Sequence, residues 1–256
     1  ADINMMRDAG ANTPEENRAD SERLDRLFNG LWSHPCFTIA AVQGVALGGG
    51  AGLISCCDYV VATPNIRIAL SEGKLGILPA VIGPYVYRRL GSATFRRLAM
   101  QAGRVGAEEA LRIGFIEELV DTKEGMETAI EAIVDEVMTT GPSAVTLAKE
   151  LTLGFDRWTQ SDEALRNWTL DFTSRMRGSK EGQEGLSSFL EKRPPEWKPS
   201  KEEKGVLKSK SWWPIAVKSP AASCAHARKR ATLPSPSAPQ TMMEACSPNS
   251  PTRLFC

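Results

Sequence analysis

Gln43-Gly-Val-Ala-Leu-Gly-Gly-Gly-Ala-Gly-Leu-Ile-Ser-Cys-Cys-Asp58 is the stretch on which the fold turns. It reads as the end of a strand, a triple glycine at 48–50, and a short apolar segment that fits a helix. Glycines at such a junction let backbone N–H groups approach a ligand closely at the positive end of the helix dipole, although the same pattern also serves tight packing. The stretch lacks the G-x-x-x-x-G-K-S/T pattern of a nucleotide phosphate loop. Asp58 follows too soon for a dinucleotide fingerprint.

The surroundings alternate strands with helices. Phe37–Val42, Tyr59–Ala62 and Ile66–Leu70 are short apolar runs suited to buried strands, the last two separated by a Thr63-Pro64-Asn65 turn. Upstream, Thr13-Pro14 with Glu16 forms a capping box, and Leu24, Leu27, Phe28, Leu31 and Trp32 recur at helical spacing. This predicts a helix over about 14–33, stopped by His34-Pro35. From Ala107 onward the pattern is mostly helical, over roughly 107–113, 124–138, 142–154, 161–177 and 180–192. The class is α/β.

Composition narrows the function. The 256 residues carry 31 Lys plus Arg and 31 Asp plus Glu, a balance that argues against a general polyanion binder and makes a nucleic-acid partner unlikely. No run approaches the ~20 apolar residues of a membrane span, so no membrane role is expected. Cysteines 36, 56, 57, 224, 246 and 256 show no C-x2-C spacing, which supports neither a metal cluster nor a disulfide scaffold and suits reduced thiols of an intracellular protein. Cys56 and Cys57 read as core residues, and Trp158, Trp168 and Trp197 as packing or interface residues. With only His34 and His226 present, no His-rich metal site is expected. From residue 206 on there are seven basic residues, one acid, seven prolines and eight serines. Residues 206–256 therefore read as a disordered basic tail, with Ala227-Arg-Lys-Arg230 a solvated patch or a polyanion site.

One carboxylate stands out. Ala69-Leu-Ser-Glu-Gly-Lys-Leu-Gly-Ile-Leu-Pro79 sets Glu72 among apolar residues, where its pKa could rise and fit it for general acid–base work; pairing with Lys74 at the surface is the other reading.

Together these segments resemble the crotonase (enoyl-CoA hydratase/isomerase) superfamily. The resemblance begins at Ala1-Asp-Ile-Asn-Met-Met6, which is similar to the family's A-G-A-D-I/L segment. It continues through Gly44–Gly50, Cys57-Asp-Tyr-Val-Val-Ala62, Glu72–Pro79 and Ala107–Val120, and ends at Glu181–Leu186 and Phe189–Arg193. Gly48-Gly-Gly-Ala-Gly52 and Leu78–Val86 look most like members of the methylglutaconyl-CoA hydratase type.

The resemblance implies a spiral of ββα turns over 1–123 whose first strands precede this chain, a helical trimerisation region over 124–197, and a linker and tail over 198–256. It implies an acyl-CoA thioester as substrate, no separate cofactor, and a homotrimer or hexamer. It also implies water addition across the α,β double bond, with the thioester oxygen held by the N–H groups of Ala1 and Gly49 and with Glu72 as acid–base. Asp2, Ile3, Gly48, Gly52, Leu78, Pro79, Phe189 and Lys192 fall at substrate- or CoA-contacting positions. Hydratases of the family usually carry a second glutamate where Gly52 stands, so this chain departs from that pattern. A single carboxylate also suits a Δ3,Δ2-enoyl-CoA isomerase. Because the chain starts inside the A-G-A-D-like segment, it reads as a fragment of a longer protein, which keeps a catalytically silent assembly module open as a third reading. Likeness to leucine-degradation hydratases implies a mitochondrial site, with the cytoplasm as the alternative.

Overall fold

The computed structural model describes residues 3–200 and 215–217. Ala1, Asp2 and nearly all of the tail lie outside the described residues.

The chain opens with α1 (Ile3–Asp8) and α2 (Pro14–Trp32). α2 starts at the capping box: Thr13 Oγ1 accepts from the Glu16 N–H and Glu16 Oε2 accepts from the Thr13 N–H. Two strand–strand–helix units follow: β1 (Ile39–Val42), β2 (Val45–Leu47) and α3 (Gly49–Cys56), then β3 (Tyr59–Ala62), β4 (Arg67–Ala69), a 3-10 helix (Ser71–Leu75) and α4 (Gly83–Gln101). A third begins with α5 (Ala107–Arg112) and β5 (Glu118–Leu119). α6 (Lys123–Val137), α7 (Pro142–Asp156), α8 (Asp162–Arg177) and α9 (Lys180–Leu190) complete the helical region. Strands at equivalent places in successive units pair in parallel, β1 with β3 with β5 and β2 with β4, which winds the chain into a spiral of ββα turns.

β1 and β3 are apolar throughout because both faces of the larger sheet are covered there. Ala40 and Val42 of β1 and Val60 and Ala62 of β3 join the main core with Phe28, Ile54, Val86 and Phe115. The alternate residues, Ala41 and Val61, point the other way onto Met126 and Ala129 of α6. Cys56 and Cys57 are buried in the main core, and burial pushes the Cys57 thiol up to about 11, so both are packing groups.

Two features depart from the sequence reading. α4 was not legible as a helix: it begins at Gly83-Pro84 and is kinked at Gly91 (φ +75°, ψ 168°), and the break interrupts the apolar period that Tyr85, Val86 and Leu98 otherwise carry. The tail read as disordered contains a strand, β6 (Ile215–Val217), which pairs in parallel with β1 through Ala40–Ile215 and Val42–Val217. An Ile-Ala-Val triplet has strand propensity, and the free side of β1 offers it unpaired backbone groups. The rest of 206–256 lies outside the described residues. Among the described residues no helix is long and apolar enough to cross a membrane.

Candidate active site

β2 and β4 lie side by side with Leu47 opposite Ala69, so whatever follows each strand emerges at the same edge. After β2 comes Gly48 and the start of α3, and after β4 comes Leu70 and the 3-10 helix bearing Glu72. The Gly48 N–H donates to the Ala69 carbonyl at 2.9 Å, extending the pairing one residue past the strands. The carboxyl of Glu72 is thereby laid against the first residues of α3.

Gly48 is required twice over. Its φ of +52° lies where side chains are strained, and a Cβ there would stand 2.9 Å from Glu72 Oε1 and 3.4 Å from Cδ. At the start of α3 the first bond to Gly48 within the helix is made by the Gly52 N–H, at 3.1 Å to its carbonyl. The N–H groups of Gly49, Gly50 and Ala51 therefore have no carbonyl within the helix. Helix ends of this kind favour negative charge.

Glu72 Oε2 is buried and has no hydrogen-bond partner. Removal from water holds the carboxyl above its ordinary 4.5, against a smaller opposing effect of its own backbone N–H. The alternative reading, a surface ion pair with Lys74, is not among the ion pairs of the described residues, and Lys74 is exposed. A buried acceptor left bare costs free energy unless something else fills the place.

The position where members of the family usually carry a second glutamate, Gly52 here, is closed. A Cβ on Gly52 would stand 2.5 Å from Ile82 Cγ2, 2.9 Å from Ile82 Cβ and 3.1 Å from Phe28 Cε1. Ile82 and Phe28 are neighbours of Gly52 that sequence reasoning did not place there. Phe28 was legible as one of an apolar helical stripe and Ile82 as part of Leu78–Val86, but no spacing rule brings residues 28, 52 and 82 to one point.

The sequence-predicted residues divide into two groups. Gly48, Gly49, Gly52 and Glu72 come together. The segment that runs on from Glu72 carries Leu78, 81% exposed, and the buried Pro79. Ile3 is exposed on α1, and Ala1 and Asp2 lie outside the described residues. Phe189, 83% exposed on α9, and exposed Lys192 just beyond it stand in the helical region, where α9 bonds to α7 through Glu181 and the Ser143 and Ala144 N–H groups. His34 belongs to the junction of helix and core: its Nδ1 accepts from the Cys36 N–H, and burial and the Lys149 charge lower its pKa.

The family model for enoyl-CoA hydratase/isomerase matches residues 1–200. A crotonyl-CoA hydratase of Syntrophomonas wolfei is 32% identical over 75% of this chain and 72% of its own. A carnitinyl-CoA dehydratase of Proteus mirabilis is 34% identical over 62% of this chain, which spans 62% of that relative's length. The crystal structure of an enoyl-CoA hydratase from Shewanella pealeana superposes with a TM-score of 0.72 at 37% identity, covering 77% of this chain and 73% of that one.

Proposed function

Because the chain belongs to the enoyl-CoA hydratase/isomerase family, an enzyme family with the ββα spiral described above, we propose that it adds water across the α,β double bond of an acyl-CoA thioester with Glu72 as its sole acid–base carboxylate. The observation that carries this reading is the buried, unpartnered Oε2 of Glu72 against the start of α3.

In the proposed reaction the substrate thioester oxygen takes the Gly49 N–H, with the Ala1 position as the second donor by family resemblance. Glu72, as carboxylate, accepts a proton from water as the hydroxyl oxygen bonds to Cβ. The π electrons move onto Cα and the thioester oxygen, and the N–H groups stabilise the enolate. The carboxyl, now protonated, delivers that proton to Cα. Each atom of water ends on the product and the enzyme returns to its starting charge. A raised pKa suits this double duty, because it makes Glu72 a stronger base as carboxylate and keeps it a usable acid near neutrality.

The remaining assignments are part of the same proposal. Asp2, Ile3, Gly48, Gly52, Leu78 and Pro79 would border the acyl and pantetheine portions. Phe189 and Lys192 would meet the nucleotide end from a neighbouring subunit of a trimer or hexamer, a reading supported by the exposure of Phe189, Leu190 and Leu170 on the helical region. The division at residues 123 and 197 goes with that assembly. On the acyl group, the relatives named above act by their names on crotonyl-CoA and carnitinyl-CoA, which favours a short acyl chain. Methylglutaconyl-CoA and a mitochondrial site rest on the resemblance alone, and these relatives are bacterial.

Isomerisation of a Δ3-enoyl-CoA is the second reading, favoured by the closed position at Gly52, since one carboxylate can carry one proton between carbons. The test is an assay of the full chain with crotonyl-CoA and with a Δ3-enoyl-CoA, following the conjugated enoyl absorbance. Loss of absorbance with the first supports hydration, and gain with the second supports isomerisation. No change with either, in protein that binds CoA, would leave the silent assembly module standing.

A further inference from the structure

Gly48 precedes α3 in a non-helical conformation (φ +52°, ψ −114°), and Gly52 lies four residues on, its N–H bonded to the Gly48 carbonyl at 3.1 Å. A side chain at 48 would meet the Glu72 carboxyl, and one at 52 would meet Ile82 and Phe28. The carboxyl and the apolar wall thus both close on the short segment 48–52 that leads into and begins α3. Both wall residues are deeply buried, Ile82 at 4% and Phe28 at 3% exposure.

The wall is also fixed in place. Ile82 stands at the start of α4, where its carbonyl accepts from the N–H groups of Tyr85 and Val86 at 3.2 and 3.1 Å. Phe28 packs on the Tyr85 ring with centroids 6.0 Å apart, and the Tyr85 hydroxyl donates to Asp25 at 3.0 Å, tying α2 to α4. The clash at 52 is with the Cγ2 and Cβ of a branched residue rather than the free end of a long side chain, so the neighbour cannot give way by rotating its tip.

We propose that Ile82 is the positioning residue that makes this a one-carboxylate site: with Phe28 it fills the space over Gly52 into which any side chain would project, and so leaves Glu72 as the single proton carrier beside the 48–52 segment. Ile82 touches no reacting atom. It acts by excluding a second titratable group, and hence selects reactions in which one carboxyl both takes and returns the proton. The inference rests on the reading of Glu72 as the acid–base group.

The test uses the full chain and four variants, Gly52→Ala, Ile82→Gly, Gly52→Ala with Ile82→Gly, and Gly52→Glu with Ile82→Gly. Thermal unfolding reads the closure. Gly52→Ala alone is expected to lower the Tm by about 5 °C, and much of that loss should disappear on the Ile82→Gly background, since the added methyl then has room. The pH dependence of kcat/KM for crotonyl-CoA reads the consequence. The parent shows the single ionisation of Glu72, whereas Gly52→Glu with Ile82→Gly gains a second one, which a purely structural role for Ile82 does not produce. An unchanged Tm in Gly52→Ala, or equal Tm losses on both backgrounds, overturns the closure. A folded Gly52→Glu, Ile82→Gly protein with the parent's single ionisation overturns the functional consequence. If that variant does not fold, the alanine pair still decides the closure, and Gly52→Asp with Ile82→Gly carries the pH test. Failure of the underlying reading is separate, because it appears as full turnover in Glu72→Gln whatever the alanine pair does.

Discussion

Glu72 and Glu117 are both partly buried carboxylates that loss of water pushes to higher pKa, yet the chain treats them in opposite ways. Around Glu117 the structure supplies partners: the Arg89 guanidinium reaches both oxygens, and the Val60 N–H donates to Oε2 at 2.7 Å. Arg89 in turn bonds the carbonyls of Cys57, Gly114 and Phe115, so the pair ties α4 to the strands on either side of it. Asp58 is held in the same manner by Lys149 at 2.6 Å and by Thr38. Around Glu72 one oxygen is bare, and the neighbouring Gly48 has no side chain to offer it. Protein groups that answer a carboxylate make it part of the framework. A carboxylate left unanswered at the start of a helix keeps its capacity to exchange protons for a substrate.

The sharpest way to break this comparison is to neutralise each carboxylate's role in turn. Glu72→Gln keeps the shape and removes the proton transfer, so hydration is expected to fall by roughly 10²- to 10⁴-fold with no loss of Tm. A variant that kept its rate would falsify the acid–base role. Arg89→Ala is expected to do the reverse. It takes the guanidinium from Glu117 and from three carbonyls, leaving the carboxylate with the Val60 N–H but no cation, and urea unfolding should show a loss of about 3 kcal/mol, with kcat per folded molecule little changed. If it instead abolished turnover at full stability, the framework reading of Glu117 would be wrong.

Between the two lies Glu16, a carboxylate with partners but little burial. It accepts from the Thr13 N–H at 2.8 Å while Thr13 caps α2. Thr13→Ala should cost about 1 kcal/mol in the same unfolding measurement and leave the hydration rate unchanged. A cost as large as that of Arg89→Ala would show that partners alone, without burial, set the framework value.

The same contrast explains what was legible in the sequence. The frame of the fold was open to reading because its signals are local: the Thr13–Glu16 box, the apolar runs at 39–42 and 59–62, and the helical stripe meeting the sheet at Met126 and Ala129. The glycines at 48–50 and Glu72 were legible because three glycines in a row at a strand–helix junction, and one carboxylate among apolar residues, stand out from their surroundings. What Glu72 lacks was not, since an unpartnered oxygen is a fact about every surrounding element at once. The same holds for the closure at Gly52, which depends on α2, α3 and the entry to α4 meeting at Ile82. α4 itself escaped because Gly91 leaves helical geometry in the middle of its amphipathic pattern.

The smallest effect is the most specific to Glu72. Its pKa in the folded protein lies above the ordinary 4.5, so between the unfolded value and the raised one the native state holds more of this proton than the unfolded state. Unfolding free energy must then fall as pH rises through that window, and the loss is complete once pH exceeds the folded value. Glutamine has no proton to lose there. The Tm of Glu72→Gln minus that of the parent should therefore grow from pH 4 upward and level off above the folded pKa of Glu72. The group is only partly buried, so the difference is modest and must be read across the full pH series rather than at one point. A difference that stayed flat, or that shrank as pH rose, would mean that loss of water does not hold the Glu72 carboxyl above its ordinary range, and the account of it as a carboxylate left unanswered would fail.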